Sequence, residues 1–366
     1  MVFTFDRDAM LKEMAIAQEI IANKNALTIL SNVLFTAGQN ELIIQATDTR
    51  TSFQTKIPVD VQEEGVTTVF CDKFTGILSS LPPGEIGFKT DDSGVTVTPL
   101  SKKAKFQLRS NAPDKYPEIS FDAKNEFFEI SAADFKAMVS QTIFSVSDDQ
   151  TRYFMNGVYF DQKDDKFILV ATDGRRLSYC EKQYAAASEI PHVIVPQKIL
   201  NIILKRASNE GVIKIAIDEK MIFFEFGNYQ FSSILIEGQF PNYLRVIPEK
   251  QEHYFEVSKI ELQEAIKRGG TFVENKLPRI LFDVSPGTLT ISSREDEKGN
   301  AQEQIPCEYE GEEVSLAFNN IYIDEPLKVM ESERVRFEFT ELMKAVTVRP
   351  EPAKDYFHII MPMQSD

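Results

Sequence analysis

FFEISAADFKAMVSQTIF, residues 127–144, holds a short alternating strand, a serine and then a run with helical spacing. Ser131 and Asp134 stand three apart, the spacing of a capping box, in which each side chain can satisfy a backbone N–H at the helix start. Phe135, Met138, Val139 and Thr142 then fall on one largely apolar face, the pattern of an amphipathic helix packed on a core. The same opening occurs twice more, as FTFDRDAMLKEMAIAQEIIA at residues 3–22 and YFEVSKIELQEAIKRGGTF at residues 254–272. Asp6 is placed to cap the first helix, and Ser258 with Glu261 to box the third. Met10, Met14, Ala17 and Ile21 repeat the apolar stripe.

Each copy continues alike. VTTVFCDKFTGILSSL (66–81), PHVIVPQKILNIILKR (191–206) and EVSLAFNNIYIDEPLKVM (313–330) run a strand into a second helix. FKTDDSGVTV (88–97), KIAIDEKMIFFEF (214–226) and RFEFTELMKAVTV (336–348) read as hairpins. A period of about 125 residues is too long for a solenoid, so the chain is expected to hold three tandem domains of one fold, over residues 1–122, 126–247 and 251–366. Paired helices covered on one side by antiparallel sheets give the class α+β. NAPDKYPEISFDAKN (111–125) and FPNYLRVIPEKQEH (240–253) stand as proline-containing linkers, each before a fresh copy of the opening strand. Pro326, inside the third copy's second helix, is expected to break that helix or confine it to a short piece, because an interior proline removes a hydrogen bond and clashes with the preceding turn.

The 366 residues are 43% hydrophobic, enough for proper cores. The N-terminus MVFTFDRDAM lacks a basic segment followed by an apolar stretch, and no apolar run approaches the ~20 residues that span a bilayer, so export and membrane insertion are not expected. Cys71, Cys180 and Cys307 are odd in number and far apart, which fits reduced, core-filling thiols in a cytoplasmic protein. A net charge of −16 and a pI near 4.8 argue, taken alone, against nucleic acid as a partner. The helices are spared that acidity: they carry Lys12, Lys73, Lys136, Lys198, Lys205, Arg206, Lys259, Lys267, Arg268 and Lys328, and equivalent helices of tandem domains could face one common axis.

His192, His253 and His358 are the only histidines, and none has metal-ligand spacing. The sequence holds no glycine-rich phosphate loop, Gly-x-Ser-x-Gly elbow or Cys-x-x-Cys, so nucleophilic and nucleotide-dependent schemes lack their parts. The acid pairs Asp91-Asp92, Asp148-Asp149 and Asp164-Asp165 read as solvated turns. Neither a metal nor a cofactor is expected.

ILVATDGRRLSYC, residues 168–180, is strand, tight turn, strand; turn chemistry alone makes Asp173-Gly174 the centre of a surface hairpin. Such a hairpin needs no arginines beside it. Together with YFMNGVYF (153–160), VIVPQK (193–198), GQFPNYLRVIP (238–248) and HIIMPMQ (358–364), this stretch resembles the bacterial DNA polymerase III beta subunit family, the sliding clamps. The similarity runs in order through the whole chain and includes the threefold repeat.

The resemblance implies a non-catalytic processivity factor. Its form would be a head-to-tail homodimeric ring of six similar domains, with sheets outside and helices lining a hole through which duplex DNA passes without sequence recognition. It further implies loading by an ATP-dependent clamp loader, tethering of the DNA polymerase III catalytic subunit, docking of other polymerases and repair proteins, and a cytoplasmic, nucleoid-associated location. Enclosure reconciles the acidic chain with DNA, because sliding needs only weak phosphate contact. By position, Lys24, Lys73, Arg152, Tyr153, Lys198 and Lys205 match family positions near DNA, and Phe106, Leu108 and Phe272 match the dimer interface. Met155, Thr172, Gly174, Arg175, Arg176, Leu177, Pro241, Arg245, Val246, Met343, Ile359, Ile360, Met361, Pro362 and Met363 match a hydrophobic pocket that receives short peptide motifs. Methionines there would reshape to different anchors, and arginines would fix carboxylates or backbone oxygens at the rim. Arg175, where the family commonly has histidine, and the tail Gln364-Ser365-Asp366 imply an altered peptide preference. The first copy, IIQATDTRTSF (43–53), keeps the Asp turn without the glycine or the second arginine, and LTISSREDEKGN (289–300) is unlike either, so only the middle copy is expected to dock partners. Two rival readings are an acidic enzyme of repeated domains with an unrecognised carboxylate pair, and a peptide-binding scaffold that never meets DNA.

Overall fold

The computed structural model describes residues 1–21, 28–184, 190–272, 278–293 and 299–364. The first repeat runs β1 (Val2–Asp6), α1 (Arg7–Ile21), β2 (Asn32–Gly38), β3 (Glu41–Thr47), β4 (Thr51–Pro58), β5 (Asp60–Glu63), β6 (Gly65–Phe70), α2 (Cys71–Ser80), β7 (Glu85–Asp91), β8 (Gly94–Pro99) and β9 (Phe106–Leu108). The second runs β10 (Phe128–Ser131), α3 (Ala132–Thr142), β11 (Gly157–Lys163), β12 (Lys166–Thr172), β13 (Arg176–Gln183), β14 (Val193–Pro196), α4 (Gln197–Arg206), β15 (Val212–Ile217), β16 (Met221–Phe226) and β17 (Tyr229–Ile234). The third runs β18 (His253–Ser258), α5 (Lys259–Gly270), β19 (Arg279–Ser285), β20 (Thr288–Ser293), β21 (Gln302–Glu308), β22 (Val314–Asn319), α6 (Asn320–Val329), β23 (Arg334–Phe339), β24 (Val346–Glu351) and β25 (Tyr356–Ile360).

Local chemistry starts the helices. Asp6 Oδ1 accepts the Ala9 N–H at 2.9 Å, and Ser258 Oγ accepts the Glu261 N–H at 3.4 Å. The stripes Met10, Met14, Ala17, Ile21 and Phe135, Met138, Val139, Thr142 are buried. Each of the large apolar side chains in them contributes about 1.5–3 kcal/mol by leaving water. Cys71, Cys180 and Cys307 are buried and unpaired, and burial pushes the thiols of Cys71 and Cys180 up to about 12.

Strand pairing crosses the repeats. One compact unit, Met1–Ala133 with Asn201–Leu235, holds a sheet ordered β5-β1-β7-β8-β9 and another ordered β10-β15-β16-β17-β4-β3-β2-β6. The other, Asp134–Leu200 with Ile236–Asp366, holds a single sheet ordered β14-β11-β12-β13-β25-β24-β23-β18-β21-β20-β19-β22. The units cut through the middle repeat because the ladders do. β17 of the second repeat pairs with β4 of the first, Phe231 opposite Phe53, and β25 of the third pairs with β13 of the second, Ile359 opposite Leu177.

Two expectations change. Pro326 does not break α6, which runs from Asn320 to Val329 and is as long as α2 and α4. A single missing N–H near the last turn is offset by burial of the proline ring, and the carbonyl of Pro326 still accepts the Met330 N–H at 3.1 Å. The two linkers are packed and not loose. Tyr116 is buried with its hydroxyl donating to the Asn32 carbonyl at 3.2 Å, and Phe240 stacks on Tyr159 with ring centres 4.7 Å apart. No helix among the described residues is long and apolar enough to cross a membrane.

Candidate functional site

The turn at Asp173-Gly174 is wider than a two-residue hairpin turn. The ladder closes at Thr172 opposite Leu177, leaving four residues between. Asp173 Oδ1 accepts the N–H groups of Arg175 (2.8 Å) and Arg176 (3.0 Å), so the side chain replaces strand partners that the loop lacks. Thr172 Oγ1 accepts the Gly174 N–H at 3.1 Å and donates to the Arg176 carbonyl at 2.6 Å. Gly174 has φ of 87°, a backbone conformation that favours glycine, and the exposed Arg152 guanidinium lies close to it. The hairpin is not a surface one: Phe167–Thr172 and Leu177–Cys180 are buried because β11 and β25 flank β12 and β13.

Beside this loop lies a cavity of about 180 Å³ lined by Met155, Thr172, Gly174, Arg175, Arg176, Leu177, Pro241, Asn242, Tyr243, Val246, Ala345, Ile359 and Met361. Leu177, Tyr243 and Ile359 also belong to the buried cluster of Ile168, Val170, Tyr179, Ile194 and Phe240, so the cavity floor is core. Of the sequence-chosen pocket residues, five stand outside. Ile360 is buried on the opposite face of β25 from Ile359, as strand alternation requires, and Pro362 is buried past the end of the strand. Arg245 and Met343 are exposed beyond the lining, and Met363 donates its N–H to the Ala317 carbonyl at 2.7 Å. Sequence reasoning missed Asn242, Tyr243 and Ala345. Tyr243 had a signal, an aromatic residue inside a supposed linker, and its hydroxyl is held by Asp161 at 2.6 Å; Ala345 had none.

Arg176 does not stand at the rim. Its Nε donates to Asp173 Oδ2 at 3.1 Å, Nη1 pairs with Glu325, Nη2 donates to the Phe144 carbonyl, and the guanidinium lies 4.4 Å from the centre of the Tyr322 ring. Below it His358 is fully buried, Nδ1 2.9 Å from Ser178 Oγ, which is 2.7 Å from Ser145 Oγ. Burial, and then the Arg176 charge, push the His358 pKa down to about 3.

The remaining candidates are scattered. Lys24 lies outside the described residues. Lys73 is exposed on α2; Arg152 and Tyr153 are exposed, with Arg152 Nε 2.9 Å from Asp149 Oδ2; Lys198 is half-buried; Lys205 Nζ is 3.2 Å from Glu19 Oε2. Hydrogen bonds from Thr151 and Arg152 hold the Asp149 carboxyl down at about 2. Several other helix cations are compensated locally, Arg206 by Glu19, Arg268 by Glu303 and Lys328 by Asp324. Phe106 and Leu108 are half-buried on β9, the last strand of its sheet, and Phe272 is 39% exposed just after α5, beside Gly299. Among the described residues no group of three His, Cys, Asp or Glu side chains could hold a metal ion.

Residues 1–120 match the N-terminal domain of the DNA polymerase III beta subunit, residues 129–242 its central domain and residues 244–364 its C-terminal domain. The chain belongs to the DNA polymerase III beta subunit family. The three tandem repeats are therefore three clamp domains of this beta-subunit fold. Similar beta-family proteins include the beta sliding clamp of Treponema pallidum, 45% identical over 366 residues and 99% of both chains, and that of Escherichia coli K12, 26% identical over 367 residues and 100% of both. The fold matches a crystal structure of the Pseudomonas aeruginosa DNA polymerase III subunit beta with a TM-score of 0.90 at 26% identity, covering all of both chains. It also matches a Bartonella birtlesii sliding clamp bound to griselimycin, with a TM-score of 0.91 at 28% identity and the same full coverage.

Proposed function

We propose that this chain is a sliding clamp: a homodimeric ring around duplex DNA that tethers DNA polymerase III for processive synthesis and has no catalytic chemistry of its own. The observation that carries the ring is a strand count. β17 closes on β4 and β25 closes on β13, so the strand that follows the hairpin of one repeat completes the sheet of the repeat before it. β9 is the third strand of that set, and its outer edge has no partner among the described residues. β21 is the counterpart of β4 and β13; among the described residues it meets β18 only at Cys307 and Glu308, and Gln302–Pro306 have no strand partner on the side away from β20. Pairing β9 with β21 of a second copy, and the reverse, closes two chains head to tail and removes both open edges. The position of Phe106 and Leu108 on β9, and of Phe272 close to Gly299, three residues before β21, supports that contact.

In this reading the domains span 1–122, 126–247 and 251–366. Lys24, Lys73, Arg152, Tyr153, Lys198 and Lys205 touch phosphates weakly and without sequence preference. An ATP-dependent clamp loader opens the ring at the nucleoid. The cavity at Leu177 takes short motifs from the polymerase, the loader and repair proteins.

Two experiments test it. The protein is loaded on nicked circular DNA with a clamp loader and ATP, and the circle is then cut. Retention on circles and loss from linear DNA is expected, together with a dimer in sedimentation at micromolar concentration; a monomer at every concentration, or binding indifferent to topology, overturns the ring. For the pocket, a fluorescent clamp-binding peptide is titrated against wild type and Leu177→Asp. Loss of more than about 100-fold is expected from a charge placed in the apolar floor. Equal affinities refute the pocket.

A further inference from the structure

We infer that Glu19 sets how strongly the chain grips DNA: its carboxylate covers Lys205 and Arg206 and keeps phosphate contact at α4 weak. This rests on the encirclement reading above. Lys205 and Arg206 stand in the last turn of α4, where cations also suit the carbonyl end of the helix. Glu19 stands on α1, in another repeat and 186 residues from Lys205. Lys205 Nζ lies 3.2 Å from its Oε2 and Arg206 Nη2 3.2 Å from its Oε1, so one carboxylate offers an oxygen to each cation. No other carboxylate among the described residues forms an ion pair with either. Glu13, the other α1 acid near Arg206, is buried with its Oε1 accepting the Tyr229 hydroxyl at 3.1 Å. Burial raises its pKa, which makes it the weaker counter-charge.

This pairing differs from its neighbours in kind. Arg152 with Asp149 and Lys328 with Asp324 are three and four residues apart on the surface, a class of ion pair that contributes little. Glu19 instead joins two repeats. The Arg206 side chain is 18% exposed and that of Lys205 is 62% exposed. Arg206 is therefore the fixed partner that holds the carboxylate in place, and Lys205 is the cation that a phosphate can reach. A phosphate approaching Lys205 must displace a carboxylate already seated beside it. Glu19 thus acts as a positioning residue for a polyanion contact that it never makes itself. Fewer neutralised phosphates give weaker binding and a shallower salt dependence, which suits movement along the duplex.

The test uses the full chain, without a loader, and a fluorescent linear duplex of about 30 base pairs, titrated between 50 and 200 mM NaCl. Glu19→Gln is expected to bind about threefold tighter than wild type at 50 mM, with a log–log salt slope steeper by about 0.9, the value of one added phosphate contact. Glu310→Gln removes one charge from an exposed loop and reports the effect of net charge alone. Its gain is expected to be smaller. Combining Glu19→Gln with Lys205→Gln should cancel the gain, and Glu19→Asp, with its shorter reach, should fall between wild type and Glu19→Gln. A merely structural tie between the repeats would lower the melting temperature of Glu19→Gln without tightening DNA binding. If Glu19→Gln binds no tighter than Glu310→Gln, or its gain survives the loss of Lys205, Glu19 covers no phosphate contact and the inference fails. Retention of wild type on circular DNA would leave the clamp reading standing in that case; failure of that retention removes both together.

Discussion

The loops Thr47–Ser52 and Thr172–Leu177 share the sequence Ala-Thr-Asp-x-Arg and share its hydrogen bonds, yet they border different surfaces. Asp48 Oδ1 accepts the N–H groups of Arg50 (2.9 Å) and Thr51 (2.7 Å), as Asp173 does for Arg175 and Arg176. Thr47 Oγ1 accepts the Thr49 N–H and donates to the Thr51 carbonyl, as Thr172 does for Gly174 and Arg176. The Arg50 carbonyl accepts the Ile234 N–H at 2.8 Å, where Arg175 receives Met361. The ladders then place Ser52 opposite Ser232 in one copy and Leu177 opposite Ile359 in the other. The first copy borders a cleft of about 760 Å³ whose lining includes Glu118, Asp122, Lys124, Asp218 and Lys220. Its partner borders the small apolar cavity. A duplicated backbone frame thus borders an apolar cavity only where two facing strand positions are aliphatic.

The comparison can be broken by exchanging its parts. Asp173→Ala is expected to cost about 3 kcal/mol in urea unfolding, because Asp173 holds two backbone N–H groups and also the Arg176 guanidinium. An Asp173→Asn variant as stable as wild type would mean that the charge held against Arg176 contributes nothing. Gly174→Thr is expected to destabilise by about 2 kcal/mol through its positive φ, and the reverse change, Thr49→Gly, to stabilise by up to about 1 kcal/mol, since Thr49 itself sits at φ of 75°. The smallest effect concerns His358, which pairs with Ser178 as Phe231 pairs with Phe53. Its folded pKa lies near 3, below its ordinary value, so the unfolded chain binds the proton first and stability falls as pH drops from about 6.5 toward 3. His358→Phe, the first copy's own solution, should give a melting temperature that declines less between pH 7 and 5, by a few degrees. An identical decline would remove His358 as a source of acid sensitivity.

Helix starts and buried stripes were legible because they are decided within a few residues of chain: Asp6 reaches Ala9, and Met10, Met14, Ala17 and Ile21 share a face whatever lies beyond. The apolar character of the cavity was legible through the family resemblance, and its membership was not. Ile360 falls outside the cavity lining because facing depends on the register of β25 against β13, a shift of one residue reversing every side chain. Arg176 was read as a rim group because its partners, Glu325 and Phe144, are 149 and 32 residues away in sequence.

The order of elements, the threefold repeat and the loop chemistry of Ala-Thr-Asp-x-Arg follow from the sequence alone, since periodicity, capping and Asx hydrogen bonds are short-range. Tertiary structure alone decided which strands cross between repeats, which face of β25 meets the cavity, that Pro326 could stay inside α6, and that one of two adjacent arginines is engaged while the other is free. Those outcomes depend on pairing and burial between distant segments, whose energies exist only once the chain has brought them together.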